Sequence, residues 1–321
     1  QLPYRVFTPF YKKIRPILST RYCEQTATSA GHGFNRANKV LPSGKPLTSL
    51  NLLGEHDWHH KLLSYWQPGE VGAYQLLDRF LEEAVADYET GRDIPSHDST
   101  SRLSPYLHFG EITPRQILAA LWPLLAGELG AKVTNSAEVF LKQLVWREFA
   151  YNVLWHFPET ATQPMDKRYS KTFWRSSKAD YESWTKGETG VPIIDAGMKQ
   201  LWQTGWMHNR VRMIVSSFLT KNLGIHWLQG ARWFWDTLVD ADLANNSLGW
   251  QWVAGCGVDA APYYRVFNPM TQTKRFDSRL EYIDTWLPEH VDLDYPSPMV
   301  DLSSSREQAL HRYRQYITNQ N

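Results

Sequence analysis

Two carboxylates and two amides lie within seven residues of one another in the C-terminal half of the sequence. They are Asp240, Asp242, Asn245 and Asn246, and two tryptophans follow shortly after them. A carboxylate accepts hydrogen bonds from ring N–H or ribose hydroxyl groups, and an amide can donate or accept beside a redox-active ring without adding charge. A helix cap followed by a turn is the structural alternative. The segment therefore predicts either a site for a nucleotide-like cofactor or a capped helix.

Hydroxyl side chains are concentrated just before a predicted helix start at Ser104 and Pro105. Ser99, Thr100 and Ser101 precede that start. The N-terminus of a helix presents unpaired N–H groups and the positive end of its dipole, and both attract anions. This turn is therefore either a simple helix cap or a site for a diphosphate.

One face of a predicted helix carries Gln143, Trp146, Arg147 and Ala150, at i, i+3, i+4 and i+7 spacing. An amide, an indole plane and a guanidinium together suit a nucleobase that is stacked and hydrogen-bonded outside its duplex. A core helix with one satisfied polar residue would give a similar pattern, so both interpretations are kept.

The near-neutral net charge of +1 hides a basic stretch at residues 196–235, which contain no Asp or Glu. The basic residues noted in this stretch are Lys199, Arg210, Arg212, Lys221 and Arg232. A positive surface of this kind follows a phosphate backbone, although a solvated helix face is the commoner origin.

The composition describes a protein with a large core and many tryptophans. The 321 residues are 42% hydrophobic and include 15 Trp, a residue that needs a large core or planar partners. Only Cys23 and Cys256 are present, which excludes a disulfide framework and a Cys-based zinc cluster. No apolar run reaches about 18 residues, and no secretory leader is visible. We expect a cytoplasmic protein, or a nuclear one in a eukaryote, without membrane spans.

Two further patterns are weak. Residues 255–257 (Gly-Cys-Gly) resemble part of a dinucleotide fingerprint but follow an aromatic segment and not a strand. His56, His59 and His60 lack the helical pattern of a metalloprotease. We expect these histidines to be surface or packing residues, and we expect no metal.

Helical periodicity dominates the chain, and no convincing series of alternating strands is present. Apolar spacing, caps and prolines predict helices over 69–88, 114–125, 137–156, 192–204, 208–221 and 226–239. The expected fold is therefore mainly α. The predicted divisions are an irregular connector that includes the start of the helical domain (1–68), the large helical domain itself (69–288) and a loose C-terminal segment (289–321).

Five motifs, in matching order and spacing, resemble the photolyase–cryptochrome family. They are TSRLSPYL (100–107), WREF (146–149), GWMHNRVRM (205–213), DADLANNSLGWQW (240–252) and DAAPYYRVFNP (259–269). The resemblance extends across nearly the whole chain and is closest to the class I cyclobutane pyrimidine dimer photolyases. It implies the helical FAD-binding domain of that family, without the N-terminal α/β domain that helps to hold an antenna chromophore of the folate or deazaflavin type.

The resemblance also implies how FAD would be held. In the family, one set of positions holds the phosphates of FAD. In this sequence those positions carry Tyr88, Thr100, Ser101, Arg102, Leu103 and Ser104. Asp240, Ala241 and Asp242 would bind the adenine, the ribose and the isoalloxazine edge. Phe140 is also at a cofactor-binding position, although the closest relatives usually have Trp there. Asn246 would face N5 of the flavin, and Arg212 would pair with Asp240.

The activity implied is that of a deoxyribodipyrimidine photolyase, a monomer that acts on UV-damaged DNA. In this reaction excited, reduced FAD donates an electron to a cyclobutane dimer flipped out of the duplex. Trp250, Trp227 and Trp174 fall at the spacings of the family's electron-transfer chain. The residues expected to contact the lesion or the DNA are Trp146, Trp252, Asn209, Met213, Gln143, Arg147, Arg92, Arg210 and Gln272.

Gln143 is the main reason to keep other activities open. Dimer photolyases resemble one another in having Glu at this position, whereas Gln is commoner in six-four photolyases and in many cryptochromes. A Gln amide cannot offer an acidic proton. Residues 206–213 lack the paired His expected of a six-four enzyme, which favours dimer repair.

Two alternatives lie outside DNA repair. The first is a cryptochrome blue-light photoreceptor, which Asn246 disfavours because plant-type cryptochromes have Asp there. The second is a helical DNA-binding module without flavin, which the cluster at 240–246 and Tyr88 disfavour.

Overall fold

A computed structural model describes residues 3–23, 44–52, 57–127, 129–169, 173–260 and 263–318. Within these ranges the chain is built from helices and contains no β-strand, apart from one isolated bridge between Arg175 and Ile225. The mainly α prediction is therefore confirmed. In the same ranges, no helix is both long and apolar enough to cross a membrane.

The α-helices are numbered in chain order. In the first half they are α1 (Phe7–Cys23), α2 (Trp58–Leu63), α3 (Glu70–Arg79), α4 (Tyr88–Gly91), α5 (Ser104–Phe109), α6 (Pro114–Leu125) and α7 (Ala131–His156). In the second half they are α8 (Lys178–Lys186), α9 (Pro192–Thr204), α10 (Asn209–Ser217), α11 (Trp227–Thr237), α12 (Leu243–Ala254), α13 (Pro269–Phe276), α14 (Glu281–Trp286) and α15 (Leu302–Tyr313).

Local signals explain the helices whose ends agree with prediction. At the start of α6, Thr113 and Gln116 form a reciprocal capping box, and Pro114 occupies the first helical position. Helix α9 begins at Pro192 and ends before Gly205, whose φ of +68° suits glycine. The predicted helix over 69–88 is instead interrupted after Arg79 by a π-turn and a 3₁₀ turn before α4.

Two hydrophobic cores meet along α7 and α12. One core lies under α1, α3, α6 and α7 and includes Phe80 and Phe149. The other is formed largely by α8 to α12 with α14 and α15, and includes Trp184 and Trp227. Because α7 packs against both α6 and α12, its polar side chains are held between the two cores.

Helices at both ends of the described chain pack on the two cores. In the predicted connector, α1 is a regular helix that buries Phe7 and Phe10 in the first core and packs against α7. In the predicted loose C-terminal segment, α15 packs on the second core through Ala309, and Ile317 is buried nearby. Helix α15 carries few apolar residues, so its periodicity in the sequence is weak. In α1, by contrast, Phe7, Phe10 and Ile14 have helical spacing, and this signal was missed.

Lys221, which was predicted to lie on the basic surface, is instead buried in the interior. Lys221 is 1% exposed, and its Nζ donates to the carbonyl of Ala254 at 2.5 Å and lies 3.4 Å from the centroid of the Tyr264 ring. Burial lowers the pKa of this amine. Lys199 pairs with Glu289, so its charge is also compensated. Lys221 therefore binds the C-terminal end of α12 and is not available to a phosphate backbone.

Candidate functional site

The residues singled out by the sequence line a single cavity of ≈ 680 Å³ between α5, α7, α10 and α12. This volume falls within the range of about 300–1,000 Å³ that is usual for ligand sites. All the predicted site residues line the cavity except Trp227, Trp174, Arg210 and Gln272. Side chains that are more than 150 residues apart in sequence thus form one continuous wall.

A buried ion pair stands on one side of the cavity. Arg212 donates through Nη2 to Oδ2 of Asp240 at 2.8 Å and through Nε to the carbonyl of Met207 at 2.7 Å. The Asp240 side chain is 3% exposed, and its Oδ1 is buried without a hydrogen-bond partner. A buried acceptor that lacks a partner needs a donor. Asp240 therefore suits a ligand that presents an N–H or hydroxyl group to the cavity.

Asp242 lies at the start of α12 and combines structural and ligand-facing roles. Its Oδ1 accepts from the backbone N–H of Asn245 at 2.8 Å, which caps the helix. Its Oδ2 accepts from the hydroxyl of Tyr151 on α7. Burial alone would raise the pKa of this carboxyl, but the hydrogen bonds from Tyr151 and Asn245 outweigh burial and lower it. The carboxylate is therefore held ionised in the cavity wall.

Asn246 and Trp250 follow on the next turns of α12. Asn246 donates from Nδ2 to the carbonyl of Ala231 at 2.8 Å, which leaves its amide oxygen and its second N–H for a ligand. Trp250 lies edge-on to Phe234, with ring centroids 5.0 Å apart. A Cβ atom at Gly230 would come within 2.1 Å of Cη2 of Trp250. The position of this indole therefore depends on a glycine in α11.

The hydroxyl-rich turn before α5 forms another part of the wall. Thr100, Ser101 and Ser104 line the cavity together with the buried Tyr88. Arg102 has a φ of +52° and lies 3.1 Å from Asp98, measured from Nε to Oδ1. This turn offers hydroxyl donors and a guanidinium to one region of the cavity. These groups suit a phosphorylated ligand.

Two tryptophan side chains line the cavity beside Gln143. Trp146 stacks on Phe7 of α1, and Trp252 donates from Nε1 to the carbonyl of Asp259 at 3.0 Å. Gln143 donates from Nε2 to the carbonyl of Val139 at 3.0 Å. The Val139 bond uses one of the two N–H groups of this amide, so the other can still donate to a base carbonyl, as the sequence suggested. The indoles are the planar groups that a flat ring could contact.

Trp227 and Trp174 lie outside the cavity. Trp227 is fully buried, Trp174 is partly exposed, and the ring of His226 lies between them at centroid distances of 5.7 Å and 5.0 Å. The indole N–H groups of Trp174, Trp227 and Trp250 are all buried without a hydrogen-bond partner. The three residues thus run from the cavity wall, through the interior, to a partly exposed position.

Two residues expected at a DNA surface are not on the cavity wall. Arg210 donates from Nη2 to Asp93 at 2.7 Å, and its guanidinium carbon lies 4.2 Å from the centroid of the Phe276 ring. Gln272 is half-buried, with an unpartnered Oε1. Asn209 and Met213 do line the cavity, as predicted. The charge of Arg210 is therefore compensated by Asp93 within the protein.

Several residues of the wall were not predicted from the sequence. Trp206 and Arg265 lie inside two of the quoted motifs, and these motifs were the only signal for them. Arg265 lies over Trp252, 5.7 Å from the ring centroid. His108 lies on α5 with Nδ1 3.9 Å from Oδ2 of Asp242. No spacing relates His108 to Asp242, because they meet only through the packing of different helices.

The group of Asp57, His59 and His60 lies outside this cavity. Their potential ligand atoms lie within 4.8 Å of one another, and Asp57 and His60 are exposed. His59 is less exposed, and its Nδ1 is buried without a partner. His56 lies outside the described residues.

Comparisons of the sequence identify similar proteins. A family described as the FAD binding domain of DNA photolyase matches residues 140–294. A curated relative from Agrobacterium fabrum, named deoxyribodipyrimidine photo-lyase, is 41% identical over 337 residues. This match covers 97% of the present chain and 68% of the relative.

Comparisons of the structure also find photolyases and cryptochromes. A solved structure described as a bacterial class III photolyase from Agrobacterium tumefaciens has a TM-score of 0.86 and 39% identity, and the match covers 98% of this chain and 69% of that chain. A Synechocystis cryptochrome has a TM-score of 0.70 and 30% identity, with 78% and 57% covered. Because the Agrobacterium tumefaciens structure is described as class III, the resemblance to class I enzymes that the sequence favoured stays a prediction.

Proposed function

The chain belongs to the photolyase–cryptochrome family, and we propose that it repairs cyclobutane pyrimidine dimers in UV-damaged DNA in a light-driven reaction. It carries the FAD-binding domain of that family, and its similarity to curated enzymes makes it a deoxyribodipyrimidine photolyase. One observation carries the proposal. The carboxylates at 240 and 242 and the indoles of Trp146 and Trp252 line the same cavity, so a cofactor and a base would share one space.

The residues present fit FAD. The unpartnered Oδ1 of Asp240 requires a donor of the kind that adenine, ribose or the flavin edge supplies. Tyr88 and the turn over 100–104 offer donors for the two phosphates. Asp242 and Asn246 would hold the isoalloxazine ring, with Phe140 on the same wall. When bound, reduced FAD supplies the light-excited electron that splits the cyclobutane ring.

The chain's own residues would prepare the cavity for this chemistry. Tyr151 and Asn245 keep Asp242 ionised, and Arg212 orients Asp240, so both carboxylates accept hydrogen bonds in fixed directions. Trp146 and Trp252 would stack against a flipped dimer and exclude water from it. Asn209 and Met213 would contact its edge.

Trp250, Trp227 and Trp174 would conduct electrons between the protein surface and the cavity. Trp250 lines the cavity, Trp227 is fully buried and Trp174 is partly exposed. The His226 ring lies between Trp227 and Trp174, at centroid distances of 5.7 Å and 5.0 Å. This arrangement supports the proposed order from cavity to surface.

Dimer repair is preferred to the two related activities. Asn209 and Met213 line the cavity where the lesion would lie, and neither could exchange a proton as a six-four enzyme is expected to require. Asn246 presents an amide, not a carboxyl, at the position that would face N5. A cryptochrome photoreceptor is the second candidate, supported by the likeness to the Synechocystis cryptochrome.

Other parts of the proposal rest on the resemblance alone. We propose that an α/β domain with a folate or deazaflavin antenna works with this helical domain, and that the protein is a monomer. Arg92, Arg147, Arg210 and Gln272 would contact DNA around the cavity, with Arg210 first released from Asp93.

The deciding experiment is the loss of cyclobutane dimers from UV-irradiated DNA under blue light, with a dark control. We expect loss only in the light and only with FAD-loaded protein. The same assay on a six-four lesion tests the closest alternative. Absence of any light-dependent loss, with FAD bound, would reject repair and favour the photoreceptor.

A further inference from the structure

Tyr151 joins the two sides of the cavity. Its hydroxyl donates to Oδ2 of Asp242, a residue of the proposed FAD side. The same oxygen accepts from Nη2 of Arg147, a residue of the proposed DNA side, at 3.4 Å. The Arg147 guanidinium carbon also lies 4.7 Å from the centroid of the Tyr151 ring. One side chain therefore contacts a carboxylate and a guanidinium that have different proposed ligands.

Arg147 has two polar partners besides Tyr151. Its Nη2 reaches the carbonyl of Leu107 at 3.3 Å, and its Nη1 lies 3.1 Å from the exposed Glu148. His108 is also near Asp242, but its Nδ1 lies 3.9 Å from Oδ2, beyond hydrogen-bond distance. Tyr151 is therefore the side chain that connects Arg147 to Asp242.

From this geometry we propose that Tyr151 is a positioning residue that couples FAD binding to DNA binding. A donor on the cofactor that binds Asp242 restricts the carboxylate, which in turn fixes the Tyr151 hydroxyl and ring. The ring then holds the Arg147 guanidinium at the cavity mouth, so less side-chain freedom is lost when a phosphate binds. This inference rests on the proposed function of the cavity.

Coupling of this kind is reciprocal. If bound FAD tightens DNA binding by some factor, bound DNA must tighten FAD binding by the same factor. The effect acts on the phosphate contact of Arg147 and needs no lesion in the cavity. An undamaged duplex therefore tests it without direct contact between flavin and dimer.

The experiment measures, in the dark, the Kd of an undamaged duplex for the FAD-free and the FAD-loaded protein. We expect FAD-loaded parent protein to bind about fivefold more tightly than FAD-free protein, at the lower end of typical couplings. The ratio should fall to about 1 in Tyr151→Phe, which keeps the ring but removes the hydroxyl. Tyr65→Phe is the matched control, because Tyr65 lies outside the cavity lining and accepts a hydrogen bond from Gln203.

A merely structural role would not change this ratio, because misfolding weakens both affinities in the same variant. Arg147→Lys provides a second test that keeps the charge but lacks the planar group over the ring, and its ratio should also fall. A parent ratio of 1, or an unchanged ratio in Tyr151→Phe, overturns the inference. If the parent protein repairs dimers but its FAD-free and FAD-loaded forms bind the duplex equally well, only the coupling is rejected. If FAD tightens duplex binding fivefold but no light-dependent repair occurs, only the proposed function is rejected.

Discussion

Phe7 and Trp146 are stacked face to face, with ring centroids 3.8 Å apart and planes inclined by only 6°. The stack is the end of a ladder between α1 and α7. Further along it, Lys142 lies over the ring of Tyr11, and Arg15 contacts Glu138 with Nε 3.0 Å from Oε1. Because the outer face of Trp146 is covered by Phe7, the rest of the ring is directed to the cavity.

We predict that Phe7→Leu weakens lesion recognition about fivefold. An aromatic stack contributes roughly 0.5–1.5 kcal/mol beyond area burial, and its loss leaves Trp146 free to tilt. The measurement is the ratio of Kd values for dimer-containing and undamaged duplexes. Phe10→Leu is the control, because Phe10 is buried in the same helix but contacts Phe149 and not Trp146.

A double-mutant cycle with Trp146→Leu separates positioning from general damage to the core. If Phe7 acts through Trp146, the effect of Phe7→Leu on the ratio disappears when Trp146 is already replaced. Additive effects of the two substitutions would contradict this role.

We predict that Asp240→Asn lowers FAD affinity by about 100-fold or more. The substitution removes the negative charge 2.8 Å from Arg212 and leaves a partly buried guanidinium without an ionised partner. FAD-free protein would be titrated with FAD and followed by flavin fluorescence. Asp284→Asn is the control, since Asp284 is exposed and far from the cavity lining; equal affinity in both variants would exclude Asp240 from the FAD site.

We predict that Trp250→Phe slows photoreduction of FAD at least tenfold but leaves repair by pre-reduced protein largely intact. The substitution keeps a ring at the cavity wall but removes the readily oxidised indole. Photoreduction would be followed by absorption, and repair by dimer loss. Trp155→Phe is the control, because Trp155 is 83% exposed. Equal loss of photoreduction and repair would contradict an electron-transfer role.

We predict equal or faster dimer repair by Gln143→Glu. A carboxyl at this position can supply a proton to the lesion, but it cannot replace the amide that donates to the Val139 carbonyl. Single-turnover repair rates would be compared with those of the parent. Slower repair would show that the Gln143 amide has a different partner in the working complex.

His208 provides a prediction about acid sensitivity. Burial lowers its pKa to about 3, with the neighbouring arginines contributing, and Nε2 is buried without a partner. The unfolded chain binds a proton at this ring below about pH 6.5 whereas the folded protein does not. Stability from the neutral ring is therefore complete above pH 6.5 and is lost progressively as the pH falls toward 3.

The variant His208→Asn tests this linkage. An Asn side chain can still accept from the backbone N–H of Arg210, as Nδ1 of His208 does at 3.2 Å. Between pH 6 and 4, the slope of unfolding free energy against pH should fall by about one proton, or about 1.4 kcal/mol per pH unit. Urea unfolding at several pH values gives this slope, and an unchanged slope would rule out His208 as its source.

The parts of the fold that could be predicted are those fixed by local chemistry. Thr113 with Gln116, and Pro192 with Gly205, determine helix ends within a few residues, so these boundaries agree with the structure. Lys221 could not be placed, because its position follows from the end of α12, which is distant in sequence. A lysine in a window without acids indicates a surface far more often than an interior.

In the candidate site, too, residues within one motif could be predicted, whereas contacts between distant helices could not. Asp240, Asp242 and Asn246 form a contiguous motif, and all three line the cavity as expected. The contacts of Asp242 with Tyr151 and His108 come from α7 and α5, and no periodicity relates these helices. Sequence patterns therefore indicated the members of the cavity but not the network that connects them.

Helix α12 is held at both ends, by the carboxylate of Asp242 at its start and by the Nζ of Lys221 at its final carbonyl. Between these fixed points it carries Asn246, Trp250 and Trp252. The spacing between the residues proposed to contact the flavin, to conduct electrons and to contact the lesion is thus set by a single helix. Insertion of a single residue within α12 would rotate everything beyond it by about 100°, so this segment should not tolerate changes in length.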